Sequence, residues 1–408
     1  MSPHARLRAC AAAAVALVTA AAPLTLSSPA SAAPAAPGVT AGAPGPDPAP
    51  LRRAAAPIPG QYIITVKKGT TPQSAMKESV PAVKPLFTYT TALNGFAAKL
   101  TPVQLAAVRA LPAVEAVEED AIASAGPVTP SAARAPAASW GLDRIDQPYL
   151  PLDQQFTVNG TGAGATVYVV DSGIDYRHPE FGGRAVPGFD AIGDGRAGAD
   201  CNGHGTHVAG TAGGANFGVA RQVNLVSVRV LGCDGRGSWS GIIAGFDWVA
   251  RNARQPAVLN ASLGGEPNLA VDNAVTAVAD HGVLPVVAAG NEGKDACDVS
   301  PARARWALTV GASDAADKET DFSNFGSCLW LYAPGRAIMS ARLNGGSTAL
   351  DGTSMAGPHV AGVAVLYKAA RPSAPPTEIA YWLADQSTKN VLTVTKSSPN
   401  RLLYTGGV

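Results

Sequence analysis

The sequence predicts an α/β protein: a parallel sheet covered by helices on both faces, preceded by a small ferredoxin-like α+β module. Continuous apolar stretches such as "ATVYVVDSG" and "GVLPVVAAGN" alternate with helical segments, which is typical of parallel strands buried on both faces. Upstream of them, a strand–helix–strand–strand–helix–strand pattern occupies about sixty residues, the order of a ferredoxin-like module. With 408 residues and 47% hydrophobic content, the chain has room for more than one domain and for a large core.

The beginning of the chain has the organisation of a secretory signal peptide. A basic start with Arg6 and Arg8 precedes an apolar run over 10–22 and the small-residue sequence "ASA". The apolar run is too short to span a bilayer, and no later run of about eighteen apolar residues follows it. We therefore expect a signal peptide over 1–32 and a soluble mature protein that is secreted and extracellular.

Composition divides the rest of the chain into two structured parts separated by linkers. Residues 33–59 are rich in Ala and Pro and predict a linker, and so do residues 125–138, where we expect a processing site. Between them, "QYIITVKKG" and "LNGFAAKL" have strand character, whereas "SAMKESV" and the start of "TPVQLAAVRALPAVEAVEED" have helical character. The ferredoxin-like module is assigned to 60–124 and the main domain to 139–408.

The main domain alternates predicted strands with predicted helices. Besides the two stretches quoted first, "NLVSVRVL", "AVLNASLGG" and "ALTVGAS" predict buried strands. Apolar residues at three- and four-residue spacing, as at Ile242 and Phe246, predict helices between them. Functional side chains of such folds lie at the carboxyl ends of the strands, which is where Asp171, Ser262 and Asn291 fall.

Charge and cysteine content exclude some classes of function and indicate the redox environment. The formal net charge is +1, so nothing predicts binding to nucleic acid or to an acidic membrane surface. An even number of cysteines beyond the signal peptide of an exported protein favours disulfides over metal ligation. These cysteines are Cys201, Cys233, Cys297 and Cys328. Two local pairs would each close a loop of about thirty residues, but the sequence alone leaves every pairing open.

Three residues in glycine-rich surroundings are candidates for chemistry, and each has a structural alternative. Asp171, in "VVDSGID", is also suited to ending a strand or capping a turn. His204, in "DCNGHGTHVAG", lies three residues from Cys201 and from His207, so a zinc site is an alternative, although this segment offers no fourth ligand. Ser354, in "GTSMAGPHVAG", is also suited to capping a helix, but capping does not explain the small residues on both sides of it.

Taken together, the three residues predict a nucleophilic serine with a histidine base and an orienting carboxylate. At the start of a helix, Ser354 has unpaired backbone N–H groups beside it, and these are donors for a developing oxyanion. Gly352 lets a substrate backbone approach, and Pro358 removes an N–H near the helix start, where the loss is smallest. The chain order Asp, His, Ser is that of subtilisin and differs from the orders of chymotrypsin and of α/β-hydrolases.

The motifs "VVDSGID", "NGHGTHVAG" and "GTSMAGPHVAG" resemble the three active-site motifs of the subtilisin-like serine peptidases, the subtilases. The segments "WGLDRIDQ" and "SPNRLLY" indicate the proteinase K and aqualysin branch, with a resemblance that extends over 140–404. The preceding module, with "GQYIITVKKG" and "VEEDAIA", resembles the inhibitory propeptide of this family. The resemblance implies a subtilisin-like fold for the main domain and an inhibitor-type propeptide before it.

The resemblance also implies roles for individual residues. Ser354 would be the nucleophile, His204 the general base and then acid, and Asp171 the residue that orients the imidazole. Asn291, in "VAAGNEG", matches the side-chain amide that helps to stabilise the tetrahedral oxyanion. Substrate binding is implied for a pocket strand and for an edge that pairs with the substrate backbone: Ser262, Leu263, Gly264, Gly235, Arg236 and Gly237. The aqualysin-like cysteine pattern implies two disulfides, Cys201–Cys233 and Cys297–Cys328.

Three departures from the family pattern limit what is transferred. Gly357 stands where the family commonly has Thr, a change that removes no catalytic group. Trp330 stands at the position of a calcium-binding Asp, and Gln155 at the position of an Asn in another calcium site. The remaining carboxylate and amide oxygens of that second site suit a hard cation; they belong to Asp143, Asp146, Gln147 and Asp153. The alternative is a solvated acidic turn with Arg144 nearby.

The sequence thus predicts a secreted serine endopeptidase of broad specificity that is made as a self-processing preproenzyme. We expect protein and peptide substrates, a structural Ca²⁺ and no catalytic cofactor. The propeptide would act as an intramolecular chaperone and inhibitor, and the mature protein would be a monomer that binds neither nucleic acid nor membrane. Three alternatives remain: a non-catalytic binding protein that keeps the fold, an esterase that uses the same residues, and a Cys/His metal protein.

Overall fold

The computed structural model describes residues 47–78, 83–126, 139–394 and 397–408, and the backbone of residues 129 and 130. The predicted signal peptide, the first part of the first linker and most of the second linker lie outside the described residues. In the described part of the chain, no helix is both long enough and apolar enough to cross a membrane.

The N-terminal module, residues 47–124, is a small sheet with two helices. Its elements are β1 (Leu51–Arg52), β2 (Pro57–Val66), α1 (Pro72–Glu78), β3 (Pro85–Tyr89), β4 (Gly95–Lys99), α2 (Pro102–Arg109) and β5 (Val114–Ser124). From β2 onward this is the predicted order of elements, and the strands lie side by side as β1-β5-β2-β4-β3. The linker predicted over 33–59 ends too late, since Leu51 and Arg52 pair in parallel with Val117 and Glu118. The Ala- and Pro-rich surroundings of β1 carry no strand pattern, which is why the sequence does not indicate it.

The module closes over a small apolar core between its sheet and its helices. Ile64, Phe96 and Val108 are fully buried in this core. Helix α2 begins with a capping box, in which the Thr101 side chain accepts from the backbone N–H of Gln104 and the Gln104 side chain accepts from the backbone N–H of Thr101. These contacts fix the start of α2, and the strand after it, β5, pairs with β2 and with β1.

The remaining elements belong to the second linker and the main domain. The helices are α3 (Trp140–Ile145), α4 (His204–Gly213), α5 (Trp239–Asn252), α6 (Leu269–Asp280), α7 (Thr353–Ala370) and α8 (Pro376–Gln386), with short 3-10 turns at Pro179–Phe181 and Ala296–Asp298. The strands are β6 (Thr129–Pro130), β7 (Thr166–Asp171), β8 (Ala185–Asp190), β9 (Asn224–Arg229), β10 (Arg236–Ser238), β11 (Ala257–Ala261), β12 (Leu284–Ala288), β13 (Leu308–Ser313), β14 (Leu331–Pro334), β15 (Ile338–Ala341), β16 (Ser347–Asp351), β17 (Thr388–Lys389) and β18 (Arg401–Leu402).

A sheet of nine described strands forms the centre of the main domain, in the order β17-β18-β14-β13-β12-β11-β7-β9-β8. Its neighbouring strands are parallel except for the antiparallel pair β17–β18. The prediction of a parallel sheet is confirmed, and the stretches quoted for it form β7, β9, β11, β12 and β13. A separate three-stranded sheet joins β15, β16 and β6.

Helices cover both faces of this sheet, as predicted. Successive residues of β7 serve the two faces: Val167 and Val169 pack in the apolar cluster of α4 and α7, and Tyr168 and Val170 in that of α5 and α6. Every residue of β7 is therefore buried, which is why such a strand appears in the sequence as a continuous apolar run.

The module docks on the main domain through buried acidic residues at two helix starts. Asp120 accepts the backbone N–H of Ser240, in the first turn of α5, at 3.1 Å. Glu118 accepts the backbone N–H of Leu269, the first residue of α6, at 3.1 Å. Both carboxyl groups are buried, and burial is the largest influence on their pKa values, which lie above the ordinary value. The module thus places negative charge where two helix dipoles favour it and satisfies N–H groups that the helices leave unpaired.

Two buried histidines make the stability of the main domain sensitive to acid. His207 in α4 and His359 in α7 are fully buried, and burial, the largest cause, lowers their pKa values to about 3 and about 4. Because these values lie below the ordinary histidine pKa of about 6.5, the unfolded chain binds more protons than the folded chain as pH falls. The stability is therefore fully present at neutral pH and is lost as pH falls from about 6.5 toward 4.

We expect the His359→Gln substitution to remove one of these two pH dependences. By pH 5 each histidine lowers the free energy of unfolding by about 2 kcal/mol relative to neutral pH. The difference in unfolding free energy between wild type and variant should therefore change by about 2 kcal/mol between pH 7.5 and pH 5. Denaturant titrations at the two pH values, in a Ser354→Ala background that keeps the chain intact, measure this change. A difference that is the same at both pH values contradicts the prediction.

Candidate active site

Two of the predicted site residues meet at the carboxyl edge of the sheet. Asp171 is the last residue of β7, and His204 is the first residue of α4. Nδ1 of His204 donates to Oδ1 of Asp171 at 2.7 Å, and both side chains are buried. The backbone N–H of Ser172 donates to the same carboxylate oxygen at 2.7 Å. The carboxylate is therefore fixed in a position that orients the imidazole.

The second ring nitrogen of His204 is left without a protein partner. Its Nε2 atom is buried and has no hydrogen-bond partner among the described residues. Burial is the largest influence and opposes protonation, but the charges of Asp171 and Asp200 and the hydrogen bond to Asp171 raise the pKa of His204 above its ordinary value. When neutral, this imidazole presents Nε2 as a proton acceptor, which is what a general base requires.

Ser354 lies in the first turn of α7. Gly352 precedes the helix with a φ of 153°, a backbone conformation essentially restricted to glycine. The Ser354 hydroxyl donates to the carbonyl oxygens of Ala125 at 3.2 Å and of Ser262 at 3.3 Å. The structure therefore places the serine against the chain that leaves the module, whereas the Nε2 atom of His204 receives no hydrogen bond from it.

Pro358 accounts for a contact between α7 and the end of β11. Proline has no backbone N–H, so the carbonyl of Ser354, four residues earlier, lacks its intrahelical donor. The Ser262 hydroxyl donates to that carbonyl at 3.0 Å and accepts from Nδ2 of Asn260 at 2.9 Å. Leu263, the next predicted pocket residue, is buried in the apolar cluster of α5 and α6. The segment predicted to form the pocket is thereby attached to the turn that carries Ser354.

Asn291 follows β12 and is held in one orientation by Thr353. Its Oδ1 atom accepts both the backbone N–H and the hydroxyl of Thr353, each at 2.8 Å. That hydroxyl in turn accepts the backbone N–H of Gly290 at 3.1 Å. A Cβ atom on Gly126 would lie 3.1 Å from Nδ2 of Asn291, so the amide nitrogen faces the chain that passes Ser354. The arrangement directs a hydrogen-bond donor into the cleft.

The chain that leaves the module, residues 122–126, lies in this cleft, and we call it the tail. Its first three residues pair antiparallel with β10. Ser124 exchanges two backbone hydrogen bonds with Gly264 at 3.0 and 3.1 Å, and the N–H of Ala125 donates to the carbonyl of Gly235 at 3.1 Å. The tail is therefore an added strand between two edges of the main domain. Four of the predicted substrate-binding residues form these edges: Gly235, Arg236, Gly237 and Gly264.

Three polar residues that support the site were not identified from the sequence. Thr353 holds Asn291, and Ser172 and Asp200 bond to each other at 2.9 Å beside the Asp171–His204 pair. Short polar side chains carry no periodicity, so the pattern of apolar residues does not indicate them. Their position next to the candidate catalytic residues could have indicated them, since all three lie inside the quoted motifs.

Both implied disulfides are present in the structure, Cys201–Cys233 and Cys297–Cys328. The first joins the loop before α4, which leads to His204, to the turn before β10, which leads to one edge of the cleft. The alternative zinc site is wrong, because the sulfur of Cys201 is oxidised and His204 donates to Asp171. His207, the third candidate ligand, contacts two backbone carbonyls through Nε2 and belongs to the core.

The predicted calcium ligands lie in α3 and the loop after it, where they hold that loop by hydrogen bonds. Asp143 and the side-chain oxygen of Gln147 both accept the backbone N–H of Asp153 at 3.2 Å, and Asp146 accepts another backbone N–H at 2.6 Å. Arg144 pairs with Asp317 at 2.7 Å and also donates to the backbone carbonyl of Gln147 at 2.7 Å. Burial, followed by repulsion from Asp153, raises the pKa values of Asp143 and Asp146. Among the described residues these carboxylates do not gather their oxygens within 4.8 Å of one another.

Gly357, a departure from the family pattern, lies in α7 beside Asn260. A Cβ atom there would be 3.2 Å from Oδ1 of Asn260, a buried oxygen that has no hydrogen-bond partner in the described part of the chain. The glycine therefore leaves a buried acceptor without a donor and touches none of the predicted catalytic side chains.

Comparisons with known proteins agree with this geometry. A family model described as the subtilase family matches residues 162–404, and a model described as peptidase inhibitor I9 matches residues 61–125. The first match covers the parallel sheet with all four predicted catalytic and oxyanion residues, and the second covers the module from residue 61 onward.

Individual relatives are similar over most of the chain. An "Alkaline serine exoprotease A" of Vibrio alginolyticus is 48% identical over 312 residues, which cover 76% of this chain and 58% of that one. An "Extracellular serine proteinase" of Thermus sp. (strain Rt41A) is 45% identical over 385 residues, which cover 88% and 92% of the two chains. A solved crystal structure of a cold adapted subtilisin-like serine proteinase has a TM-score of 0.65 at 49% identity, covering 66% of this chain and 99% of that one. This chain thus spans 58% of the length of the Vibrio relative and 92% of the length of the Thermus relative.

Proposed function

The chain belongs to the subtilase family of serine peptidases and carries an inhibitor-type propeptide, and from this premise we propose that it is a secreted endopeptidase of broad specificity. As a family member it hydrolyses peptide bonds and needs no catalytic cofactor. We assign Asp171, His204 and Ser354 as its catalytic triad and Asn291 as an oxyanion donor. The observation that carries this assignment is the tail, a peptide strand that lies in the cleft with a carbonyl oxygen 3.2 Å from Oγ of Ser354.

Acylation uses Oγ of Ser354, Nε2 of His204 and Nδ2 of Asn291. Oγ of Ser354 attacks the substrate carbonyl carbon, and its proton passes to Nε2 of His204, the ring nitrogen without a partner among the described residues. Asp171 stabilises the imidazolium through the 2.7 Å bond to Nδ1. The carbonyl oxygen becomes an oxyanion that Nδ2 of Asn291 stabilises. The C–N bond then breaks, and His204 gives its proton to the leaving amine.

Deacylation repeats these steps with water. A water molecule attacks the acyl carbon and loses a proton to Nε2 of His204, and the ester C–O bond breaks as His204 returns that proton to Oγ of Ser354. The carboxylic acid product leaves, and the enzyme is regenerated without net transfer of a proton to any side chain.

Broad specificity is supported by how the tail is held. The bonds that Gly235 and Gly264 make to the tail involve backbone atoms only, and main-chain pairing does not discriminate between side chains. We therefore propose protein and peptide substrates, with the protein acting as a monomer that binds neither nucleic acid nor membrane. Secretion is supported by the predicted signal peptide and by the printed name of the Thermus relative.

The module is proposed to be both inhibitor and folding aid. The tail occupies the edges that would pair with substrate. The Ser354 hydroxyl donates a hydrogen bond to the carbonyl of Ala125 in the tail and none to His204, so the nucleophile is not activated in this state. We propose that the chain processes itself within residues 125–138, after which the module remains bound until it dissociates or is degraded.

The proposed function is tested with a serine-directed fluorophosphonate probe and a substrate panel. We expect the processed wild type to hydrolyse casein and to acquire one probe adduct, which peptide mapping places on Ser354. A processed, folded protein that hydrolyses no peptide and binds no probe contradicts the proposal and favours a binding protein. Probe labelling with hydrolysis of short acyl esters but of no peptide favours the esterase.

Asp247 is expected to be a main determinant of inhibition by the module. Its Oδ1 atom accepts three backbone N–H groups, from residues 90–92 of the module, at 2.7–3.0 Å. The carboxylate is buried, and bonds to a charged acceptor are each stronger than neutral ones. We expect Asp247→Ala to raise the inhibition constant of added module by about 100-fold, as measured with the processed enzyme.

Asp385→Ala is the matched control for this prediction, because Asp385 is an exposed residue of α8 whose carboxylate bonds to Gln386 of the same helix. It should leave the inhibition constant within about twofold. Equal inhibition of the Asp247→Ala and Asp385→Ala enzymes shows that the three N–H contacts do not hold the module.

A calcium ion bound by Asp143, Asp146, Gln147 and Asp153 is proposed to stabilise the loop after α3. The donor set suits a hard cation, since the charge of Asp153 contributes to raising the pKa values of Asp143 and Asp146 and the charge of Arg144 is paired with Asp317. Bound calcium supplies charge neutralisation and cross-linking of the loop to α3, and takes no part in peptide hydrolysis.

Removal of calcium is therefore expected to destabilise the wild type. At a calcium concentration of about 100 times Kd, binding adds about 2.7 kcal/mol to the free energy of unfolding, and a chelator removes it. Thermal unfolding with calcium and with a chelator, repeated for Asp146→Asn, measures the effect. A midpoint that shifts equally in wild type and variant places the responsible ion at another site.

A further inference from the structure

Asp200, a buried residue of the loop before α4, accepts five hydrogen bonds. Its Oδ1 atom accepts from the hydroxyl of Ser172 at 2.9 Å and from the backbone N–H groups of Asn202 at 2.8 Å and Gly203 at 3.0 Å. Its Oδ2 atom accepts from the backbone N–H of Thr206 at 3.0 Å and from the Thr206 hydroxyl at 2.6 Å. One carboxylate thus organises the loop and the first turn of the helix that starts at the imidazole.

Ser172 connects this carboxylate to the other half of the pair. Its hydroxyl donates to Asp200 and accepts the backbone N–H of Gly205 at 3.0 Å. Its own backbone N–H donates to Oδ1 of Asp171, the atom that also accepts from the imidazole. The end of β7 and the start of α4 are therefore joined by a continuous set of hydrogen bonds that runs through Asp200 and bypasses the Asp171–His204 contact.

We propose that Asp200 is a positioning residue for peptide hydrolysis: it holds the first turn of α4 against the end of β7, so that His204 meets Asp171, and it adds a second negative charge beside the imidazole. This assignment rests on the proposed function, because it concerns the proposed general base. Asp200 touches neither the tail nor Ser354 among the described contacts, so it acts through His204 and not on the substrate.

The charges that face His204 come from three elements. Asp171 lies on β7, Asp200 in the loop before α4, and His207 one turn further along α4. Burial lowers the pKa of His207 to about 3, so its imidazole is uncharged at neutral pH. Two carboxylates therefore act on the imidazole, and both raise the pKa of His204 against the effect of its burial.

The titration of His204 in the full precursor with Ser354→Ala tests the proposal without requiring proteolysis. We expect ring-carbon NMR signals to report a His204 pKa that falls by about half a unit to one unit when Asp200→Asn is added. We also expect the low-field signal of the proton between His204 and Asp171 to shift or broaden. Asp272→Asn is the matched control, because Asp272 is a buried carboxylate that pairs with Arg303 on another side of the domain, and it should change neither signal.

An Asp200→Asn precursor overturns the proposal if circular dichroism shows that it is folded and if it keeps both the wild-type His204 pKa and the wild-type low-field signal. A merely structural residue would give this result. If Asp200→Asn does not fold, Ser172→Ala breaks the connection without changing charge. In the processed enzyme it should lower kcat about 10-fold with KM unchanged, and an unchanged kcat overturns the positioning role. Failure of the wild type to hydrolyse peptides would contradict the proposed function instead, and would leave the titration result intact.

Discussion

Replacement of Ser354 by alanine is expected to lower casein hydrolysis by about 10⁶-fold and to leave the chain at its unprocessed mass. The hydroxyl is the group that forms the acyl-enzyme, and no other described hydroxyl contacts the carbonyl of Ala125 in the cleft. Without it, only the oxyanion donors and substrate binding remain to accelerate hydrolysis. Intact-mass spectrometry of the secreted chain and a casein assay measure the two effects together.

Ser347→Ala is the matched control, since Ser347 is an exposed residue of β16, a few residues before the same helix. It should process and hydrolyse like the wild type. The precursor with Ser354→Ala should retain the wild-type circular dichroism spectrum, because the substitution removes the two long hydrogen bonds of the Ser354 hydroxyl, of 3.2 and 3.3 Å, and keeps the backbone contacts. Equal processing of both variants would show that another protease removes the module, and would favour a non-catalytic protein.

Loss of the Asn291 amide is expected to have the second largest effect. Asn291→Ala should lower kcat by about 10²–10³-fold, which corresponds to about 3–4 kcal/mol of transition-state stabilisation, while KM changes little. The reason is that Nδ2 meets an oxygen that carries full negative charge only in the tetrahedral intermediate. Steady-state kinetics of the processed variant on a peptide substrate separate kcat from KM.

Asn252→Ala serves as the control for Asn291→Ala, because Asn252 is exposed at the end of α5 and bonds only to a backbone carbonyl of its own helix. Its kinetics should equal those of the wild type. A rise in KM without a fall in kcat for Asn291→Ala would assign the amide to substrate binding instead. The same measurement on Thr353→Val should show a smaller fall in kcat, since valine removes the hydroxyl bond to the amide oxygen of Asn291 but keeps the backbone N–H bond, each of 2.8 Å.

The sequence predicts the parallel sheet because each central strand is buried on both faces. A strand such as β11, with every residue buried, appears as an uninterrupted apolar run. Strands β17 and β18 have two residues each, and β1 likewise, so no period is long enough to be detected. These short strands are defined by their pairing with distant partners, which a local pattern does not contain.

The candidate site shows the same division between local and distant information. Gly352 and Pro358 indicate an unusual helix start, and the structure explains both by a glycine-only φ and by a carbonyl that accepts from Ser262. The register of the tail along Gly235 and Gly264 depends on how the module docks, which no single motif encodes. The calcium prediction likewise names suitable donors, whereas their convergence depends on the fold of the loop and on the ion itself.

Helices α5 and α6 each begin with two side-chain acceptors, one from the main domain and one from the module. Ser238 and Asn268 of the main domain are their N-cap residues. Asp120 and Glu118 belong to the module and would be lost with it. The sheet pairs β7 with β11 across about 90 residues of chain, so a large loop must close before this pairing forms. After the proposed removal of the module, we therefore expect the main domain to refold slowly without these two acceptors, so that its lifetime would be set by its rate of unfolding.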